Sequence, residues 1–178
     1  MIGRIGGALA LLFFGCSMLA GEAFPGAPGE SLVGKDAPAF EAKDLEGKAL
    51  GTELARKDGL VVVLNFWGLR CGDCITEMPH LNNLHSRHRG KGVAVWGVNM
   101  DGVAPEVIRE QSARLPAPPE YPLIPDREFK IIEGYKVEAA PFTFVIAPDG
   151  KVAYQHEGYA PGVEKEIEEA VLKLLPKK

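Results

Sequence analysis

Val61-Val62-Val63-Leu64-Asn65-Phe66-Trp67-Gly68-Leu69-Arg70-Cys71-Gly72-Asp73-Cys74-Ile75-Thr76-Glu77-Met78-Pro79 is the stretch around which this 178-residue chain is organised. Its first half is a continuous apolar, β-branched run, as expected of a strand buried on both faces of a sheet. Gly68-Leu69-Arg70 reads as a short turn, and Cys71-Gly72-Asp73-Cys74 opens a helix. Two cysteines three apart share a helix face and lie close enough to bridge. Free N–H groups and the macrodipole at a helix N-terminus favour a thiolate, so Cys71 reads as the reactive thiol and Cys74 as the resolving one. Half of a zinc site or a static disulfide would give the same spacing. No second CxxC and no well-spaced Cys/His pair follows, which argues against a complete zinc site.

Leu64-Asn65-Phe66-Trp67-Gly68, the Cys71-x-x-Cys74 pair, Glu77 and Pro79 together resemble the TlpA/ResA-type thioredoxin-like thiol–disulfide oxidoreductases. The resemblance runs from about Val33 to Leu175. It implies an extracytoplasmic protein, often a reductase serving cytochrome c maturation.

The whole chain fits one domain with a proper core. Its net charge of -4 gives no support for nucleic acid binding. The three cysteines form an odd count, and the N-terminus offers a reason. Residues 1–23 read as an export segment, with Arg4 followed by a mostly apolar run from Ile5 to Ala20. Gly21-Glu22-Ala23 suits an ordinary signal peptidase. Phe13-Phe14-Gly15-Cys16 resembles a lipobox, which would make Cys16 a lipidated N-terminus, although Phe stands where Leu is usual. An uncleaved anchor is the third reading. All three place the domain outside the cytoplasm, touching the membrane only through that N-terminus, where disulfide chemistry is normal. Residues 24–34, rich in Pro and Gly, read as a flexible tether, and residues 35–178 as the domain.

Within the domain, Val33 to Phe40 resembles the leading segment shared by TlpA-like proteins and peroxiredoxins. A β-hairpin is expected to turn through Asp44-Leu45-Glu46-Gly47-Lys48. Thr52 is expected to cap a brief helix over Glu53 to Arg56. Next come strand Leu60–Phe66 and a CxxC helix to about His88, kinked by Pro79. Val93–Asn99 reads as a second apolar strand, Pro105–Leu115 as a helix and Leu123-Ile124 as a short extended piece. Asp126 is expected to cap a helix through Tyr135, with Phe129, Ile132 and Tyr135 on its apolar face. Strand Phe142–Ala147, the Pro148-Asp149-Gly150 turn and strand Val152–Gln155 form a hairpin. An amphipathic helix over Val163–Leu175 ends the fold. The order gives an α/β protein with a mixed sheet flanked by helices. By resemblance it is a thioredoxin-like fold with an N-terminal hairpin and a helix-containing insertion around residues 101–135.

Cys71 is expected to attack a substrate disulfide and Cys74 to resolve the mixed disulfide, with no cofactor beyond this redox-active pair. Asp73 places a negative charge between the sulfurs and disfavours the thiolate, unless it serves only the helix first turn. Arg70 favours the thiolate, and the family usually has a bulky aromatic there. Glu77, one turn beyond Cys74, matches the acid that the family keeps near its thiols. A partly buried carboxylate there could shuttle the proton of Cys74. Ala140-Pro141 resembles the cis-proline loop of thioredoxin-like proteins. Its backbone at Ala140 would lie against Cys71 and pair with the substrate chain. Trp67 is expected to wall the site. His80, His85 and His88 suggest a metal at first sight, but no third ligand has a firm spacing, and a solvated helix face is the simpler reading.

The chain therefore reads as a protein-disulfide oxidoreductase acting on exported proteins, apocytochrome c among the family's substrates. A reductant outside the cytoplasm implies a membrane thiol-transfer reductase as electron donor. Three rivals stand beside this. A copper-handling protein on the same fold would use both cysteines and a histidine, but copper-binding relatives have CxxxC. A peroxidase would carry Thr where this chain has Gly68. A binding module would use the CxxC for structure alone.

Overall fold

The computed structural model describes residues 31–176, so residues 1–30, with the export segment, Cys16 and most of the tether, lie outside it. Twelve elements follow in chain order. They are β1 (Glu41–Lys43), β2 (Ala49–Gly51), α1 (Thr52–Lys57), β3 (Val61–Trp67), α2 (Gly72–His88), β4 (Val93–Asn99), α3 (Pro105–Ser112), β5 (Leu123–Pro125), α4 (Lys130–Tyr135), β6 (Phe142–Ile146), β7 (Val152–Glu157) and α5 (Val163–Leu174). β1 and β2 form a separate hairpin, and the other strands form one sheet in the order β5-β4-β3-β6-β7. β3 runs parallel to β4, which runs parallel to β5, whereas β6 is antiparallel to both β3 and β7. This is the expected mixed sheet, and the expected thioredoxin-like order of elements.

Every residue of β3 is buried. Successive side chains leave a strand on opposite faces, so one apolar run serves two cores. Val62, Leu64 and Phe66 join Trp96, Val98, Ile132, Tyr135, Phe142 and Phe144 on one face. Val61, Val63 and Trp67 join Cys74, Met78, Leu81, Ile108, Ile167 and Val171 on the other. The second core is the one beneath α2 and α5. Asn65 has the same parity as Val63 and Trp67, so its amide is directed toward that helical face.

Several boundaries differ from the sequence expectation. Thr52 does not cap α1; its Oγ1 accepts from Phe40 N at 3.1 Å and holds the chain leading into β1. α4 starts only at Lys130, although Asp126 still serves it, one carboxylate oxygen accepting from Ile131 N and Ile132 N at 2.9 Å each. Phe129 consequently leaves the expected apolar face. It adopts a left-handed conformation (φ 58°), is 43% exposed and lies over Gly102. β7 continues to Glu157. The end of the expected tether is held by the domain, with Leu32 N donating to Gln155 Oε1 and Gly34 N to the Val152 carbonyl.

α2 continues through Pro79, which is exposed at its middle. Its histidines do not share a solvated face. His88 is buried, with Nε2 3.1 Å from Glu168 Oε1 on α5, while His80 stacks on Tyr159 and His85 packs edge-on to Tyr121. Among the described residues no helix is long and apolar enough to cross a membrane.

Candidate active site

The site lies at the edge of the sheet where β3 and β4 end and β6 begins. Cys71 caps α2, with Sγ accepting from Cys74 N at 3.1 Å. The two cysteines form a disulfide with an S–S distance of 2.02 Å. Their environments differ. Cys71 is partly exposed, whereas Cys74 is only 1% exposed and belongs to the core beneath α2. Arg70 and Asp73 flank Cys71 in the sequence and are both exposed.

The Ala140–Pro141 peptide is cis, and Cys71 Sγ lies 3.5 Å from the Ala140 carbonyl oxygen. The loop before β6 and the start of α2 are therefore brought together. Trp67 does not form an open wall. It is fully buried, and a Cβ at Gly97 would stand 3.1 Å from its Nε1. The indole supports the site from below and offers no face to an incoming chain, because the apolar run that makes β3 continues through it.

Asp101, which the sequence did not mark, fastens the turn before Cys71. Its Oδ2 accepts from Leu69 N at 2.8 Å and from Asn99 Nδ2 at 2.7 Å. Met100 N donates to the Trp67 carbonyl, and Cys71 N to that of Gly68. Gly68 lies beside this arrangement, and a Cβ there would come into ordinary contact with Asp101 Oδ1 at 3.4 Å. Nothing in the local sequence links Asp101 to Leu69, which lies thirty-two residues away.

Beneath the disulfide is a buried polar group of three residues. Glu77 is 1% exposed, Asn65 1% and Thr143 2%. Asn65 Nδ2 donates to Glu77 Oε2 at 2.9 Å and to Thr143 Oγ1 at 2.9 Å, and Thr143 Oγ1 donates to Glu77 Oε1 at 3.4 Å. Burial pushes the Glu77 carboxyl up to about 7, while the two donors pull in the other direction. Tyr121, also buried, has its phenol pushed up by burial first and by the nearby Glu77 second. The sequence did carry a signal for Asn65, the one polar side chain in an apolar strand, because a buried amide needs partners. Thr143 had no comparable mark.

These features define a class: a thioredoxin-like fold with a CxxC pair at a helix N-terminus against a cis-proline loop, and a titratable acid beneath it. Residues 33–155 match the AhpC/TSA family, and the chain belongs to that family. Thiol-disulfide oxidoreductase ResA of Bacillus thuringiensis subsp. konkukian is 33% identical over 147 residues, covering 81% of this chain and 79% of that protein. ResA of Bacillus anthracis is 38% identical over 125 residues, covering 69% and 68%. Among solved structures, a protein from Chlorobium tepidum described as thiol:disulfide interchange protein DsbE superposes with a TM-score of 0.69. It is 30% identical, the match covering 79% of this chain and 96% of that one. The chain is thus a thiol–disulfide oxidoreductase of the ResA/DsbE type, with Cys71–Cys74 as its CxxC pair.

Proposed function

We propose that this protein works outside the cytoplasm as a reductant of disulfides in exported proteins. In this reading Cys71 is the attacking thiolate, Cys74 the resolving thiol and Glu77 the carrier of the Cys74 proton. The observation that carries it is the asymmetry of the pair: a partly exposed Cys71 beside the Ala140 carbonyl, and a Cys74 buried at 1% exposure one helical turn from Glu77.

In the dithiol form, the Cys71 thiolate attacks one sulfur of a substrate disulfide. A mixed disulfide forms, and the other substrate sulfur leaves as a thiolate. Cys74 gives its proton to the Glu77 carboxylate and attacks Cys71 Sγ. The Cys71–Cys74 disulfide forms, the second substrate thiolate leaves, and two electrons have passed to the substrate. The free N–H groups at the start of α2 favour the Cys71 thiolate. Arg70 favours it further, and Asp73 opposes it. The backbone at Ala140 pairs with the extended substrate chain, and Pro141 shapes that edge. A membrane thiol-transfer reductase restores the dithiol.

Export is supported by the apolar segment within residues 1–23, with Cys16 as a site of lipid attachment if that segment is cleaved as a lipobox. Apocytochrome c is the substrate suggested by the family. The reduction potential of the pair tests the reading, measured by equilibration with glutathione or dithiothreitol. A value of about -270 mV supports a dedicated reductant, and one of about -120 mV overturns it in favour of an oxidant.

A further inference from the structure

We infer that Asn65 and Thr143 are positioning residues that hold Glu77 with only donors facing its carboxylate, and so decide at what pH, and on which oxygen, Glu77 takes up a proton. This deepens the proposed function and rests on its reading of Glu77 as the proton carrier for Cys74.

The three side chains come from β3, α2 and β6, and they meet for a definite reason. Asn65 and Thr143 are directly paired in the antiparallel register of β3 and β6, so their side chains stand side by side on the face covered by α2. Glu77 reaches down from α2 onto that pair. The hydrogen inventory then constrains the group. An amide NH2 has two hydrogens, and Asn65 directs one to Glu77 Oε2 and the other to Thr143 Oγ1. Thr143 Oγ1 has one hydrogen, which goes to Glu77 Oε1. Two of the three bonds end on the carboxylate, and the third commits the Thr143 hydroxyl to donating there, so the arrangement suits the ionised acid.

The two oxygens are not equivalent. Oε2 is held by the amide at 2.9 Å, and Oε1 only by the longer 3.4 Å contact with a hydroxyl that can turn. A threonine hydroxyl can also accept, whereas an amide NH2 cannot. The proton therefore goes to Oε1, and Oε2 remains the anchored oxygen. Burial opposes ionisation, and the two donors keep the carboxyl from rising further than about 7.

Other groups face or approach Glu77. Cys71 and Cys74 lie on the preceding turn of α2. His80 and Glu164 line the same small crevice between α2 and α5. Tyr121, Tyr154 and Tyr159 are close enough to interact with its charge. Among the described residues, Asn65 and Thr143 hydrogen-bond the Glu77 carboxylate and none of these other groups does.

The test follows the Glu77 carboxyl titration by carbon-13 NMR in the oxidised full chain, alongside the pH profile of substrate-disulfide reduction. Wild type is compared with Asn65→Leu, Thr143→Val and Thr143→Ser. Loss of the amide is expected to raise the Glu77 midpoint by about one pH unit or more, since a hydrogen bond to a charge is worth that much. Thr143→Val is expected to move it up by less, and Thr143→Ser, which keeps the hydroxyl, to leave it near wild type. Thr143→Val is nearly isosteric, so the test survives if Asn65→Leu fails to fold. A midpoint unmoved by both apolar variants overturns the inference. Glu77→Gln separates the two layers. If the midpoint shifts as expected but Glu77→Gln keeps the wild-type pH profile, the positioning stands and the proton-carrier reading of Glu77 falls.

Discussion

Cys71 Sγ and the Ala140 carbonyl oxygen lie 3.5 Å apart although sixty-nine residues separate them in the chain. This contact joins the reactive end of α2 to the edge that precedes β6. It puts a peptide acceptor beside the more open of the two sulfurs, with the other sulfur shut in the core.

That asymmetry predicts which cysteine is trapped. Cys74→Ser is expected to accumulate a mixed disulfide on Cys71 with a substrate peptide, visible as a mass increase that dithiothreitol removes. Cys71→Ser is expected to accumulate almost none, because a sulfur that is 1% exposed cannot reach an incoming disulfide. Equal trapping by both variants would refute the assignment of roles.

The pH dependence of stability follows from Glu77. Its carboxyl titrates near 4.5 when unperturbed and is pushed up to about 7 in the fold, first by burial. Below the lower value both states are protonated and the group contributes nothing. Between the two the unfolded chain releases the proton first, so stability falls as pH rises, then levels off above about 7. The full effect is on the order of 3 kcal/mol. Glu77→Gln is therefore expected to raise the unfolding midpoint clearly at pH 8 and much less at pH 5. A gain of the same size at both values would show that charge is not the cause.

Asp101 predicts a defect that is local to the turn. Asp101→Ala leaves Leu69 N and Asn99 Nδ2 without their acceptor and is expected to cost about 1 kcal/mol of stability. Amide exchange at Leu69 is expected to accelerate more than exchange at Val63 in the middle of β3. Uniform acceleration along β3 would instead mean a global loss of stability.

Gly97 predicts how tightly Trp67 is packed. A Cβ at that position would meet Leu123 Cδ2 at 2.9 Å, Tyr121 Cε2 at 3.0 Å and Trp67 Nε1 at 3.1 Å. Gly97→Ala is expected to destabilise the protein by about 1–3 kcal/mol in denaturant unfolding, as overpacked cores do. It is also expected to change Trp67 fluorescence. A variant as stable as wild type would show that this wall yields.

The strand, the CxxC helix and most of the element order follow from the amino-acid sequence alone, because those signals are local. A β-branched run, two cysteines on one helical face and a 3.6-residue apolar spacing in α5 each act within a few residues. Resemblance added the cis bond at Pro141 and the place of Ala140 beside the thiol. Where the prediction slipped, the deciding contact was with a distant residue. Thr52 turned to Phe40, and Phe129 was left outside α4 over Gly102. Trp67 was buried beneath the site, and His88 turned to Glu168. The meeting of Asn65, Glu77 and Thr143, with up to 78 residues between them, comes from long-range packing. The register of β3 against β6 sets Asn65 opposite Thr143, and the packing of α2 lowers Glu77 onto both. A buried polar side chain announces in the sequence that it needs a partner, but which partner it finds depends on how distant strands align.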